Sequence, residues 1–275
     1  MKEQPYHERY YLLYGHKAPP STLDIGGTLS FLKGAGYGDN FLRQAREKQD
    51  LALEKEKELG ETRGQHRCSF CGEVMFGAEY EILKDGRERC TACSRTAIKK
   101  KEDFQVLFTD VKGKFEKLFG VTLKGEILVK MVDDREFSRK KGIKDLLSEN
   151  LQKSGNRYYV IVRNGSPRIY TIQCVVKALT GVWQDQNWKQ AEIAKKYGAG
   201  KYRQVKEGMA EWAGIQYHFL TGESAYGKRM EMQTADKTDD AGVGFRMYRD
   251  RYSISYGAEL EGPSPFDDPE FPLGK

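Results

Sequence analysis

Four of the five cysteines fall in two C-x-x-C pairs, "CSFC" at 68–71 and "CTAC" at 90–93, with eighteen residues between the pairs. A thiolate is a soft anionic ligand, and a two-residue gap lets one tight turn deliver two of them to the same side of a tetrahedron. Two such turns joined by a hairpin predict one zinc ion held by Cys68, Cys71, Cys90 and Cys93. Four protein ligands leave no open coordination position, so this metal is expected to be structural. The competing reading is a pair of disulfides, which a reducing compartment disfavours. His66, two residues before Cys68, is expected at the surface, and Cys174 is expected to be a small core residue.

The elements that must position these sulfurs can be sketched from local signals. Gly72, Gly77 and the Asp85-Gly86 pair supply turns, and "AEYEIL" has strand character. A zinc finger is therefore expected over 66–96. Residues 1–39, rich in Gly, Pro and Tyr, predict an irregular arm, and "NFLRQAREKQDLALEKEKELG" predicts a solvated connector helix over 40–65. Phe104, Leu107, Phe108, Val111, Phe115 and Leu118 recur at helical spacing and predict a helix over 101–120. Residues 125–133 and 157–173 are β-branched and aromatic, with Asn164-Gly165 expected as a hairpin turn. Helices are expected near 172–185 and 201–222. The last fifty residues look loop-rich, and 258–275, with four of the eight prolines, predicts an extended tail.

Composition narrows the partners. The net charge of +6 admits nucleic acid, but acids interrupt the basic runs "IKKK" and "SRKKGIK", as on an ordinary solvated surface. Phe70, Phe76 and Tyr80 could stack on bases or fill a finger's small core. No stretch reaches the roughly 18 apolar residues of a membrane span. The N-terminal residues lack the apolar core of a secretory signal, so a cytoplasmic location is expected.

The order of these parts, with "SRTAIKKKEDFQVLFTDVKGKFEKLFGV" after the finger and "VKEGMAEWAGIQYHFLTGE" farther on, resembles the plant LIM-domain peptidases activated by ubiquitin that restrain organ growth, and their bacterial relatives. The resemblance spans about 66–257; its most specific piece is the E-G-x-A-E pattern at Glu207, Gly208, Ala210 and Glu211. "GVGFRMYRD" at 242–250 is similar to a later family segment. The resemblance implies an α+β chain: a four-cysteine, LIM-like or zinc-ribbon-like finger, then a small gluzincin-like metallopeptidase domain over 97–257, with helices packed on a short β-sheet.

In that family one helix carries H-E-x-x-H, whose histidines bind catalytic zinc and whose glutamate is the general base, and the next helix supplies a third ligand. Those three positions fall here on Lys177, Ala178 and Gly181. Glu207 matches the third ligand and remains, as does Glu211, a neighbouring acid. No H-x-x-x-H occurs, since the four histidines are His7, His16, His66 and His218. Glu207, Glu211 and His218 share a helical face, but the outer pair is about 16 Å apart along the axis, too far for one metal. Lys177 either pairs with Glu207 in place of the metal or snorkels to water. These residues imply a peptidase-like protein without peptidase chemistry, acting through a protein partner. A zinc-finger nucleic-acid adaptor is the alternative, and an enzyme using a different site is a third for which the sequence offers no constellation.

Overall fold

The structure, a computed structural model, describes residues 66–75, 80–139 and 146–268. The arm and connector helix expected before residue 66 lie outside the described residues, as do Phe76 and Gly77. The described residues fall into two compact units. In one, β1 (His66–Arg67) pairs antiparallel with β2 (Val74–Met75). The other contains 68–73, 80–139 and 146–268 and is a mixed α+β body.

Its first elements are a β-hairpin, β3 (Tyr80–Ile82) with β4 (Glu88–Cys90), and a single-turn helix α1 (Thr91–Arg95). Helix α2 (Lys101–Leu118) follows, with Glu102 and Asp103 in the first turn, where the helix dipole favours acids. Its spaced apolar residues Phe104, Leu107, Phe108, Val111 and Phe115 are all buried, as their periodicity predicts.

Strands β5 (Glu126–Val132), β6 (Leu146–Ser148), β7 (Leu151–Ser154) and β8 (Arg157–Arg163) form a sheet of order β5-β8-β7-β6, with the short helix α3 (Asp134–Arg139) after β5. β5 runs parallel to β8, while β8 pairs antiparallel with β7. The tight hairpin is therefore at Gly155-Asn156, where Gly155 has φ of 56°.

The expected hairpin at Asn164-Gly165 is corrected. Gly165 does turn the chain, with φ of 79°, but it turns from β8 into helix α4 (Arg168–Asn187). The last part of the β-branched run, 168–173, is the start of that helix. It buries thirteen residues between Thr171 and Gln184, on every side, because α2, the sheet and α5 surround it. An all-round apolar helix has no amphipathic period, which is why its first turns read as strand.

Helix α5 (Gln190–Leu220) is kinked at Gly198, whose φ of 75° and ψ of 163° no helical residue adopts. Two further helices, α6 (Ser224–Asp236) and α7 (Asp240–Arg251), occupy a region expected to be loops. α7 begins at Asp239, whose carboxylate accepts from Gly242 N at 2.9 Å. It then crosses α5 through glycines: a Cβ on Gly208 would lie 2.2 Å from the Gly244 carbonyl carbon. No side chain fits between those two backbones.

The described part of the proline-rich end, up to Asp268, is docked. Phe266 is buried, with its ring centroid 4.8 Å from Phe119, 5.1 Å from Trp183 and 5.5 Å from Phe115. No helix among the described residues is long and apolar enough to cross a membrane.

Candidate metal centre

The sulfurs of Cys68, Cys71, Cys90 and Cys93 all lie within 4.8 Å of one another, and all four side chains are buried or nearly so. Local hydrogen bonds bring them together. The first pair sits on a turn in which Gly72 N donates to Cys68 O at 2.9 Å and Gly72 takes φ of 71°. This turn is tied to β4, because Ser69 N donates to Glu88 O at 2.8 Å and Glu88 N donates to Ser69 Oγ at 3.1 Å. The second pair straddles the start of α1. Cys90 is its N-cap, and its sulfur accepts from Cys93 N at 3.4 Å. Cys90 N also points at Cys68 Sγ, 3.5 Å away.

These sulfurs are free cysteines rather than disulfides. A tetrahedron with metal–sulfur bonds of 2.3 Å has edges of about 3.8 Å, and Cys71 Sγ and Cys90 Sγ are 3.8 Å apart. Hydrogen bonds from the other three thiols draw Cys68 far down, whereas hydrogen bonding within the cluster pushes Cys71 and Cys93 far up, so the four do not all ionise by themselves. Four buried thiolates repel one another unless a cation sits among them. The donor set fits a soft divalent ion with closed coordination.

The expected degenerate site lies on α4 and α5. Lys177 is one-third exposed, and its Nζ sits 2.6 Å from Glu211 Oε1, not beside Glu207. Burial works against its ammonium, but the Glu211 charge and hydrogen bond outweigh that and hold its pKa above the ordinary lysine value. Gln173 Nε2 approaches the other Glu211 oxygen at 3.5 Å. Of the two alternatives for Lys177, a pair with Glu207 or an ammonium turned to water, neither is found: its partner is Glu211, one helical turn beyond Glu207. Glu207 is partly exposed and faces Arg203, 3.6 Å away on its own helix. That i,i+4 partner was visible in the sequence and is the signal that could have removed Glu207 from the cleft.

Ala178 is fully buried, and Gly181 has its own packing role. A Cβ at Gly181 would lie 2.9 Å from Leu151 Cδ2, so the missing side chain lets α4 approach β7. Cys174 is a core residue as expected, and burial pushes its thiol up to about 12.

Sequence reasoning singled out His218 only for its place on a helical face. It is fully buried, lies edge-on 4.5 Å from the Tyr226 ring, and neither ring nitrogen has a hydrogen-bond partner among the described residues. Burial alone pulls its pKa down to about 3. Phe70, one of the candidate base-stacking aromatics, is buried against Tyr170 with centroids 5.2 Å apart. It fills core space beneath the finger.

Comparison with protein-family models, with curated proteins and with solved structures finds no match.

Proposed function

We propose that this chain is a catalytically inactive, peptidase-like protein that works by binding another protein, with one structural Zn²⁺ held by Cys68, Cys71, Cys90 and Cys93. The observation that carries the non-catalytic half is the 2.6 Å ion pair between Lys177 and Glu211. It places an ammonium where the resemblance would put a histidine ligand, and a lysine so paired is no zinc ligand. Ala178 offers no group to move a proton, and Gly181 is committed to packing against Leu151. Zinc is the preferred ion because four thiolates in a tetrahedral arrangement suit it without any redox chemistry.

The nucleic-acid alternative loses one of its motives with the burial of Phe70, which no base could reach. Two assays test the proposal together. Zinc-loaded chain incubated with an unfolded protein substrate should release no peptides; chelator-sensitive cleavage would overturn the inactive reading. Immobilised chain should retain a protein from its native host with only mild salt dependence, and a Cys68→Ser variant should lose it. Capture of mainly nucleic acid, weakening steeply between low and physiological salt, would favour the adaptor instead.

A further inference from the structure

The finger's first turn exposes three consecutive backbone carbonyls, Phe70 O, Cys71 O and Gly72 O, and all three are met by one face of α6. Tyr226 Oη donates to Phe70 O at 3.3 Å, Arg229 Nε donates to Cys71 O at 2.9 Å, and Gln233 Nε2 approaches Gly72 O at 3.5 Å. Residues 226, 229 and 233 are spaced three and four apart, as one helical face requires. Arg229 also reaches Glu73 at 3.2 Å, just beyond the turn. A Cβ on Gly72 would lie 2.0 Å from Gln233 Nε2, so the turn and the helix are in close register there.

We infer that Tyr226, Arg229 and Gln233 are positioning residues of the metal centre: α6 holds the Cys68–Cys71 turn in its ligating shape and thereby sets metal affinity. The inference rests on the four-sulfur reading and adds to it a source of preorganisation outside the finger. A loop that must be ordered when the metal arrives loses conformational entropy at that step, and a loop already held in shape loses less. Hydrogen-bond partners of this kind typically change metal affinity by about 10–100-fold when removed.

The rest of the turn is engaged elsewhere: Gly72 N closes it on Cys68 O, and Ser69 ties it to Glu88 of β4. The three carbonyls are where α6 grips it. Tyr226 is fully buried, so its hydroxyl has no solvent to turn to if Phe70 O moves away. Metal loss should therefore loosen α6, and loosening α6 should weaken the metal, because such coupling is reciprocal.

The test uses the full chain and Zn²⁺ in competition with a chromogenic chelator. Tyr226→Phe, which removes one hydroxyl, and Arg229→Gln should each weaken zinc about 10-fold. Met232→Ala, at an exposed position on the same helix, should not. Thermal unfolding with and without zinc separates positioning from plain stability. The stabilisation conferred by zinc should shrink in Tyr226→Phe and Arg229→Gln. If both variants bind zinc as tightly as the unaltered chain, or lose the same amount of Tm with and without metal, the inference is overturned. An unaltered chain that takes up no metal would remove the four-sulfur reading and this inference with it.

Discussion

Lys177 Nζ and Glu211 Oε1 meet at 2.6 Å and join helices α4 and α5. Glu211 is only 6% exposed, and its two carboxylate oxygens are met by Lys177 and Gln173. Lys177→Met should destabilise the fold by about 2–3 kcal/mol, less than a fully buried pair would because the lysine is partly solvated. Lys177→Met combined with Glu211→Leu should recover much of that loss, since the stranded charge is gone. Denaturant titration of the single and double variants reads both values.

Gly208 should tolerate no side chain. Gly208→Ala puts a methyl into the Gly244 backbone, which cannot rotate away as a side chain can. The helix-propensity gain of about 1 kcal/mol is then overwhelmed, and a net loss of about 3 kcal/mol or more is expected from forcing α5 and α7 apart. Thermal unfolding checks it. An unchanged Tm would mean that the two helices do not cross at these glycines.

His218 should make the chain sensitive to mild acid. Its pKa is about 3 in the fold because burial disfavours the imidazolium, against an ordinary value of about 6.5 when unfolded. Between these values the unfolded chain binds a proton that the folded chain does not. Stability is therefore full above pH 6.5 and falls as pH drops toward 3, by about 1.4 kcal/mol per pH unit. Asp85, Glu116 and Asp185, whose pKa values are held low in the fold, lose stability in the same direction at the acidic end. The contribution of His218 is therefore read as a difference. At pH 4.5 the unaltered chain should have lost about 2.7 kcal/mol more than His218→Phe. Equal losses in the two would show that the histidine finds a proton acceptor in the fold.

What could be read from the sequence is what is encoded over short spans. The four sulfurs were legible because a metal turn needs two cysteines at fixed spacing, and α2 because one buried face repeats every three to four residues. Residues 168–171 were misread as strand because a helix buried on all sides carries no such period. Helix α7 was missed because Gly242 and Gly244 resemble loop glycines. Their reason is close backbone contact: Gly242 with Lys237, just before the helix, and Gly244 with Gln204 of α5. Phe266 was hidden among prolines, and only the ring cluster of Phe115, Phe119 and Trp183 explains its burial. The choice between Glu207 and Glu211 depended on how two helices align, and helical spacing within one of them cannot specify that.

The most direct measurement of the central claim is the zinc content of the purified full chain beside that of Cys90→Ser, both as moles of metal per mole of protein. A chain that binds metal through one closed sulfur site should contain about one zinc when unaltered and about none after the substitution. Two zinc ions in the unaltered chain, or one that persists in Cys90→Ser, would place a metal outside the four cysteines and contradict the account.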